Sequence, residues 1–201
     1  MGINENKYKT ALSNFPLLLD SSRNVDSTYK TLFQILKGIV DFDYSIIYYL
    51  NSDRVNIKYK ENCSFVYPDY ITLSEVSRKK IFSADCSIFD ETSILASELK
   101  LDKKPKTNFL IMNLVIRETV FGFILLAKNN GKFSADDIEI LKSYGSVCSY
   151  AIKDNELFDV FKMQFKILQE DLVEKANAYK TIEEQNKKIV EADNIKNEFI
   201  A

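Results

Sequence analysis

Three thiols and a complete lack of histidine set the chemistry open to this chain. Without histidine there is no histidine-ligated zinc or haem, no histidine general base and no phospho-accepting histidine within these 201 residues. What remains is cysteine. Cys63, Cys86 and Cys148 are odd in number and widely spaced, which fits a reducing compartment better than a disulfide framework. A reactive thiol has to be exposed and to have a lowered pKa. Cys148 falls on the apolar stripe of a helix and is expected to be an inert core residue. No metal site is expected.

Composition narrows the partners. Hydrophobic residues make up 46% of the chain, enough for a core. The net charge is -2 and there is no evident basic face, so nucleic acid is not an expected partner. The N-terminus has no apolar stretch of the signal-peptide kind, and no apolar run approaches the 18 or so residues of a membrane span. The expectation is a chain without a membrane segment, in the cytoplasm.

The elements follow from periodicity. A short amphipathic helix is predicted over residues 5–14, with a further turn at Pro16–Leu19. Asp26 or Ser27 is expected to cap a helix whose apolar face carries Tyr29, Leu32, Phe33, Leu36, Ile39 and Val40. Tyr44–Leu50 and Val55–Cys63 read as a hairpin, with Val55, Ile57 and Tyr59 on one side of the second strand. A helix over Leu73–Phe82 begun by Ser74, a strand at Ser87–Phe89, a helix at Thr92–Leu99 and a basic loop at Lys100–Lys106 follow. Phe109–Val115 and Val120–Lys128 are two strongly apolar strands. Ser134 then caps the last helix, with Asp136 and Asp137 in its first turn. The expected fold class is α+β, an antiparallel sheet flanked by helices.

From Ser134 to Ala201 the chain has no proline, and after Gly145 no glycine. At about 1.5 Å of rise per residue such a helix reaches roughly 100 Å. Ile138, Leu141, Tyr144, Val147, Cys148, Ala151 and Ile152 make the stripe of a helix lying on a core. From Phe158 the spacing becomes an alternation of threes and fours: Phe158, Phe161, Phe165, Leu168, Leu172, Lys175, Tyr179, Ile182, Asn186, Ile189. That is a heptad seam, with Lys175 and Asn186 as polar breaks, and it calls for a second copy of itself. The competing reading is a solvated helix, or one folded back on its own domain. After Ile189 the steps become three, three and four, through Ala192, Ile195 and Phe199, which marks a change of winding.

The run Asn108–Phe158 resembles the C-terminal half of GAF domains: strand, short turn, glycine-bearing strand, loop, then Phe-Ser, two acids and an apolar helix. Gly122, Phe133, Ser134, Asp136, Asp137, Leu141 and Ala151 stand at the matching places, and Asn113 departs from a common proline. The tail Ala192–Ala201 is similar to the opening of the dimerisation helix of sensor histidine kinases, with Asn197 for a serine and Ile200 for a leucine. Periodicity and these resemblances together give the expected division: an N-terminal helix over 1–15, a GAF-like sensor domain over 16–157 and a coiled-coil signalling helix over 158–201 that, by the second resemblance, enters a kinase dimerisation domain. The implied function is a non-catalytic input module, homodimeric and parallel, with the kinase domain in the parent protein as its partner.

GAF domains often bind a small molecule between the sheet and the irregular crossing segment. Tyr48, Tyr59, Phe65, Cys86, Phe89 and Asn113 are the residues expected around such a pocket; the competing reading is that they simply fill the core. The cofactor is left unknown. Lys128, Phe133 and Asp137 match part of the cyclic-nucleotide signature of the family, but Ala127 and Ile138 break it. A bilin would attach to a cysteine beside a histidine, and Cys86 is followed by Ser87. Two alternatives stay open: a redox sensor or enzyme using Cys63 or Cys86, and an input domain for a nucleotide cyclase.

Overall fold

The protein is described by a computed structural model over residues 24–63, 68, 70–101 and 106–200, with positions 13 and 16; the side chains at 196 and 198–200 are not among those described. Apart from Ser13 and Pro16, the helix expected over 5–14 and the turn at Pro16–Leu19 lie outside the described residues, as do Phe65 and most of the Lys100–Lys106 loop. Two compact units result, Met1–Glu156 and Leu157–Ala201.

In the first unit, α1 (Val25–Ile39) precedes the hairpin β1 (Tyr44–Asn51) and β2 (Arg54–Glu61). Then come β3 (Ile71–Thr72), α2 (Glu75–Phe82), β4 (Cys86–Asp90), α3 (Ile94–Glu98), β5 (Thr107–Ile116), β6 (Thr119–Asn129) and the start of α4 (Ala135–Ile200). The strands form one sheet in the order β3-β2-β1-β6-β5-β4, and every pairing is antiparallel. The fold class is therefore the expected one.

The central strands are apolar on both sides because both faces are covered. On one face Ile47, Leu110, Met112, Leu114, Ile124 and Leu126 pack with α1 and with Leu141, Tyr144, Cys148 and Ile152 of α4. On the other, Tyr48, Phe109, Ile111, Phe123 and Leu125 pack with Ile81, Leu95 and Leu99 of the α2–α3 layer. Parity along β5 and β6 assigns these side chains to their layers; at the irregularity between Leu114 and Val115, Phe121 is the extra residue of β6 and packs on the α1–α4 side.

Capping corrects one expectation. Asn24, not Asp26 or Ser27, caps α1: its Oδ1 accepts from the Ser27 N–H at 2.8 Å. Two residues before Asp26, its side chain reaches an orphan donor of the first turn. Ser74 caps α2 and Ser93 caps α3. Ser134 and Asp137 exchange side-chain and backbone bonds at 2.8 and 3.1 Å, a capping box in which aspartate takes the usual glutamate's place.

The β5–β6 turn is strained. Ile116 pairs with Thr119, leaving a two-residue loop in which Arg117 and Glu118 both have positive φ, 47° and 67°. This is the backbone of a type I′ turn, which asparagine and glycine adopt far more readily. Replacing the pair (Arg117→Asn with Glu118→Gly) is expected to stabilise the domain by about 1–2 kcal/mol. Urea denaturation checks this; no gain in midpoint would refute it.

Candidate functional site

Of the six residues expected around one pocket, the five that are described do not come together. Tyr48, Phe89 and Asn113 share the face covered by α2 and α3. Tyr48 is fully buried and stacks on Phe123 at 4.8 Å, and Phe89 stacks on Phe109 at 5.2 Å. Asn113 donates both amide hydrogens, to the carbonyls of Ile81 at 2.6 Å and Ala84 at 3.0 Å, which ties β5 to the end of α2. It thus fixes the layer in place.

Tyr59 and Cys86 lie on the opposite face, among the residues that pack with α1 and α4. A β-bulge turns Tyr59 over: Ile47 pairs with Tyr59 but Tyr48 pairs with Ile57, so Lys58 is the extra residue. Val55 and Ile57 stay on the α2–α3 side, contrary to the shared face expected for all three. Tyr59 packs on Tyr29 at 5.4 Å and on Phe33 at 5.7 Å. Cys86 is three residues from Phe89, and odd spacing in a strand means opposite faces.

The two enclosed thiols, Cys86 and Cys148, are poor nucleophiles. Burial pushes Cys86 up to about 12, with Asp85 nearby adding to the rise and Lys142 opposing it. Burial also raises Cys148, which is wholly enclosed. Cys63 is half-buried. Neither enclosed thiol has the lowered pKa that redox chemistry demands. Lys128 pairs with Asp41 at 3.1 Å and Asp137 is committed to the capping box, so two residues of the partial nucleotide signature have structural partners. Among the described residues no cluster of metal-ligating side chains occurs.

Sequence reasoning missed a polar–aromatic cluster at the end of the first unit. Tyr29 of α1 and Tyr49 of β1 join hydroxyls at 3.1 Å. Lys153 of α4 stands over Phe121 at 4.5 Å and over Tyr49 at 5.1 Å, and it binds Glu156 at 2.7 Å. A cation between two aromatic faces is held by their quadrupoles, more strongly as water is excluded. The cluster ties α1, β1 and β6 to the last turn of the unit, at Lys153–Glu156. Nearby, the Val115 N–H donates to Ser149 Oγ at 2.8 Å, at the irregularity between Leu114 and Val115. The helix is thus tied by polar bonds as well as by its stripe.

Burial of these groups has a pH consequence. Tyr29 and Tyr144 are raised from 10.0 to about 12 by burial, and Cys86 from 9.0 to about 12. Each raised acid loses its proton first in the unfolded chain. Its contribution is whole below the ordinary value and disappears as pH climbs towards the raised one. Melting temperature is expected to hold across neutral pH and to fall between about pH 9 and about pH 12. A flat profile through that window would contradict the burial of these groups.

The second unit presents its apolar residues to solvent. Phe161, Phe165, Leu168 and Leu172 are 58 to 66% exposed, and Tyr179, Ile182 and Ile189 are exposed as well; Phe158 is at 36%. Among the described residues no helix is long and apolar enough to cross a membrane.

Comparison with known proteins agrees with this architecture. The family model for the GAF domain matches residues 24–154. A search among curated proteins finds no match. The chain is similar to the solved GAF domain/HD domain protein from Geobacter sulfurreducens, at 19% identity and TM-score 0.53, over 68% of this chain and 97% of that one. It is similar to the GAF domain of an Acinetobacter phosphoenolpyruvate-protein phosphotransferase, at 13% and 0.59, over 78% and 97%. A third is the GAF domain of a two-component sensor histidine kinase from Bacillus halodurans, at 12% and 0.53, over 67% and 97%. At these identities the likeness speaks for the fold alone. With the family model covering well over half its length, and with the sheet order and helix layers described above, the chain belongs to the GAF-domain family.

Proposed function

We propose that this chain is a non-catalytic sensory and dimerisation module of a cytoplasmic two-component sensor histidine kinase. The observation that carries the reading is the exposed heptad seam of the second unit, Phe158 to Ile189. Apolar residues in that spacing are stable in water when a second helix covers them. The segment Lys196–Ala201 supports the kinase context, because it resembles the opening of a kinase dimerisation helix, with Asn197 for a serine and Ile200 for a leucine. A small molecule held by the GAF domain, or a protein partner, would bias the packing of α4 near Leu141–Ile152. The cluster around Lys153 would pass the bias to the following turns. Such a relay needs two packings close in free energy, each favoured by a different occupancy.

Sedimentation equilibrium on the 201-residue protein at tens of micromolar tests the reading. A dimer is expected. A strict monomer would overturn it, because the seam would then be a solvated surface.

A further inference from the structure

The stalk helix has a second apolar edge that the seam does not use. Leu157, Val160 and Ile167 are 53%, 51% and 48% exposed; Val160 and Ile167 lie on a different side from Phe158, Phe161 and Leu168, and Leu157 lies between the two edges. At 100° per residue the two edges are one position, about 100°, apart. The second edge also has heptad spacing. Leu157 to Val160 is three residues, and Val160 to Ile167 is seven. The edge fails in the middle of the stalk, where its positions are Asp171, Glu174, Ala178, Thr181, Gln185 and Lys188. It returns at the far end. Ala192 lies 35 residues after Leu157, and Ile195 lies 35 after Val160, five heptads in each case. Beyond Ile189 the first seam runs into Asp193, while Ala192 and Ile195 continue the second.

We propose that this edge is a second seam, and that its occupant is the same partner helix, from a second copy of this chain. The proposal rests on the paired reading above and specifies its two packings. Charge selects the occupant. The positions flanking the first seam, which a copy must approach, are mostly uncharged (Gln164, Gln169, Ala176, Ala178 and Gln185); the charged ones, Lys162, Asp171 and Glu183, fall opposite the uncharged Leu157, Ala176 and Ala178 of a parallel copy. Charges such as Lys166, Glu170, Lys180 and Glu184 lie away from it. Two identical helices therefore meet with few like charges opposed. In the middle of the stalk only the first seam is apolar, so the pair is held there. At the far end only the second seam is apolar, so the pair rotates by one position between Ile189 and Ala192, a local overwinding. At the root the first seam is apolar throughout and the second carries Leu157, Val160 and Ile167 with Gln164 as its one polar position, so the pair can follow either. That root directly follows the Lys153–Glu156 turn. The site of two-fold choice is therefore residues 157–168, and the middle of the stalk is the fixed point.

Cysteine cross-linking of the full 201-residue protein in a Cys63→Ser background, with a mild oxidant, tests this. Val160→Cys and Ile167→Cys are expected to cross-link as readily as Phe161→Cys and Leu168→Cys. In the middle Leu172→Cys is expected to react at least about tenfold faster than Glu174→Cys, and at the far end Ile195→Cys at least about tenfold faster than Asp193→Cys. Slow reaction at 160 and 167, or faster reaction at 193 than at 195, overturns the second seam and leaves the paired stalk intact. No cross-link at any position, with a monomer by sedimentation, overturns both.

Discussion

Replacing Gly122 with alanine is expected to destabilise the first unit by about 3 kcal/mol or more, in the range of severe overpacking and backbone effects. Gly122 sits in β6, paired with Tyr49 of β1 and Leu114 of β5. A Cβ there would collide with the carbonyl oxygen of Tyr48 and press on the Tyr49 ring. The carbonyl belongs to a central strand and cannot move without disturbing the ladder. Its own side chain is fully buried and stacked on Phe123. Glycine in a strand interior weakens the strand, so its presence marks a close backbone approach. Gly38 supplies the opposite case. It lies in α1, and a Cβ there would meet nothing within 4 Å. Gly38→Ala is expected to stabilise by about 0.5–1 kcal/mol through helix propensity alone. Urea denaturation of the two variants reads both signs at once. A Gly122→Ala protein within about 1 kcal/mol of the parent would show that β1 and β6 can separate at that point.

What the sequence made legible was what alternation and periodicity encode. β5 and β6 have apolar runs interrupted only by Asn113 and Gly122, because both their faces are covered, and that pattern is strong enough to place a strand from one sequence. The stripe of α4 and the seam after Phe158 are likewise simple spacings. The candidate pocket was not legible, because membership of a face is decided by parity and parity fails at a bulge. Lys58 adds one residue opposite the Ile47–Tyr48 step, and Tyr59 moves to the other side of the sheet. Cys86 was grouped with Phe89 by nearness in the chain, though three residues along a strand point apart. β3 is two residues long, too short for any alternation to show. The cluster around Lys153 joins residues from α1, β1, β6 and α4. A cation between two rings has no local spacing, so only the tertiary structure displays it. The Arg117-Glu118 turn was readable as a connection, but its positive φ angles were not, since neither residue type favours them.

Placing lysine at both Leu168 and Leu172 is expected to convert the dimer to a monomer, with the dissociation constant raised by at least about a thousandfold, or about 4 kcal/mol. The two residues occupy successive seam positions and are 59% and 66% exposed in the single chain. In a parallel pair each faces its own copy, so the double substitution removes four leucines and sets four like charges against one another. Neither side chain is part of the domain core, so the melting of the first unit itself is expected to stay within the small range of surface substitutions. Lys175 sits on the same seam and already opposes its own charge. Lys175→Leu is therefore expected to tighten the dimer, and Asn186→Leu to tighten it while loosening the choice of two strands, since a single buried asparagine favours two-stranded register at a loss of stability. Opposite signs at neighbouring positions separate a true seam from a merely greasy surface. On a surface without a partner, lysine at 168 and 172 and leucine at 175 would leave the sedimentation profile unchanged. If Lys175→Leu weakens the association instead, the helices pair along some other line and the heptad assignment from Phe158 to Ile189 is wrong.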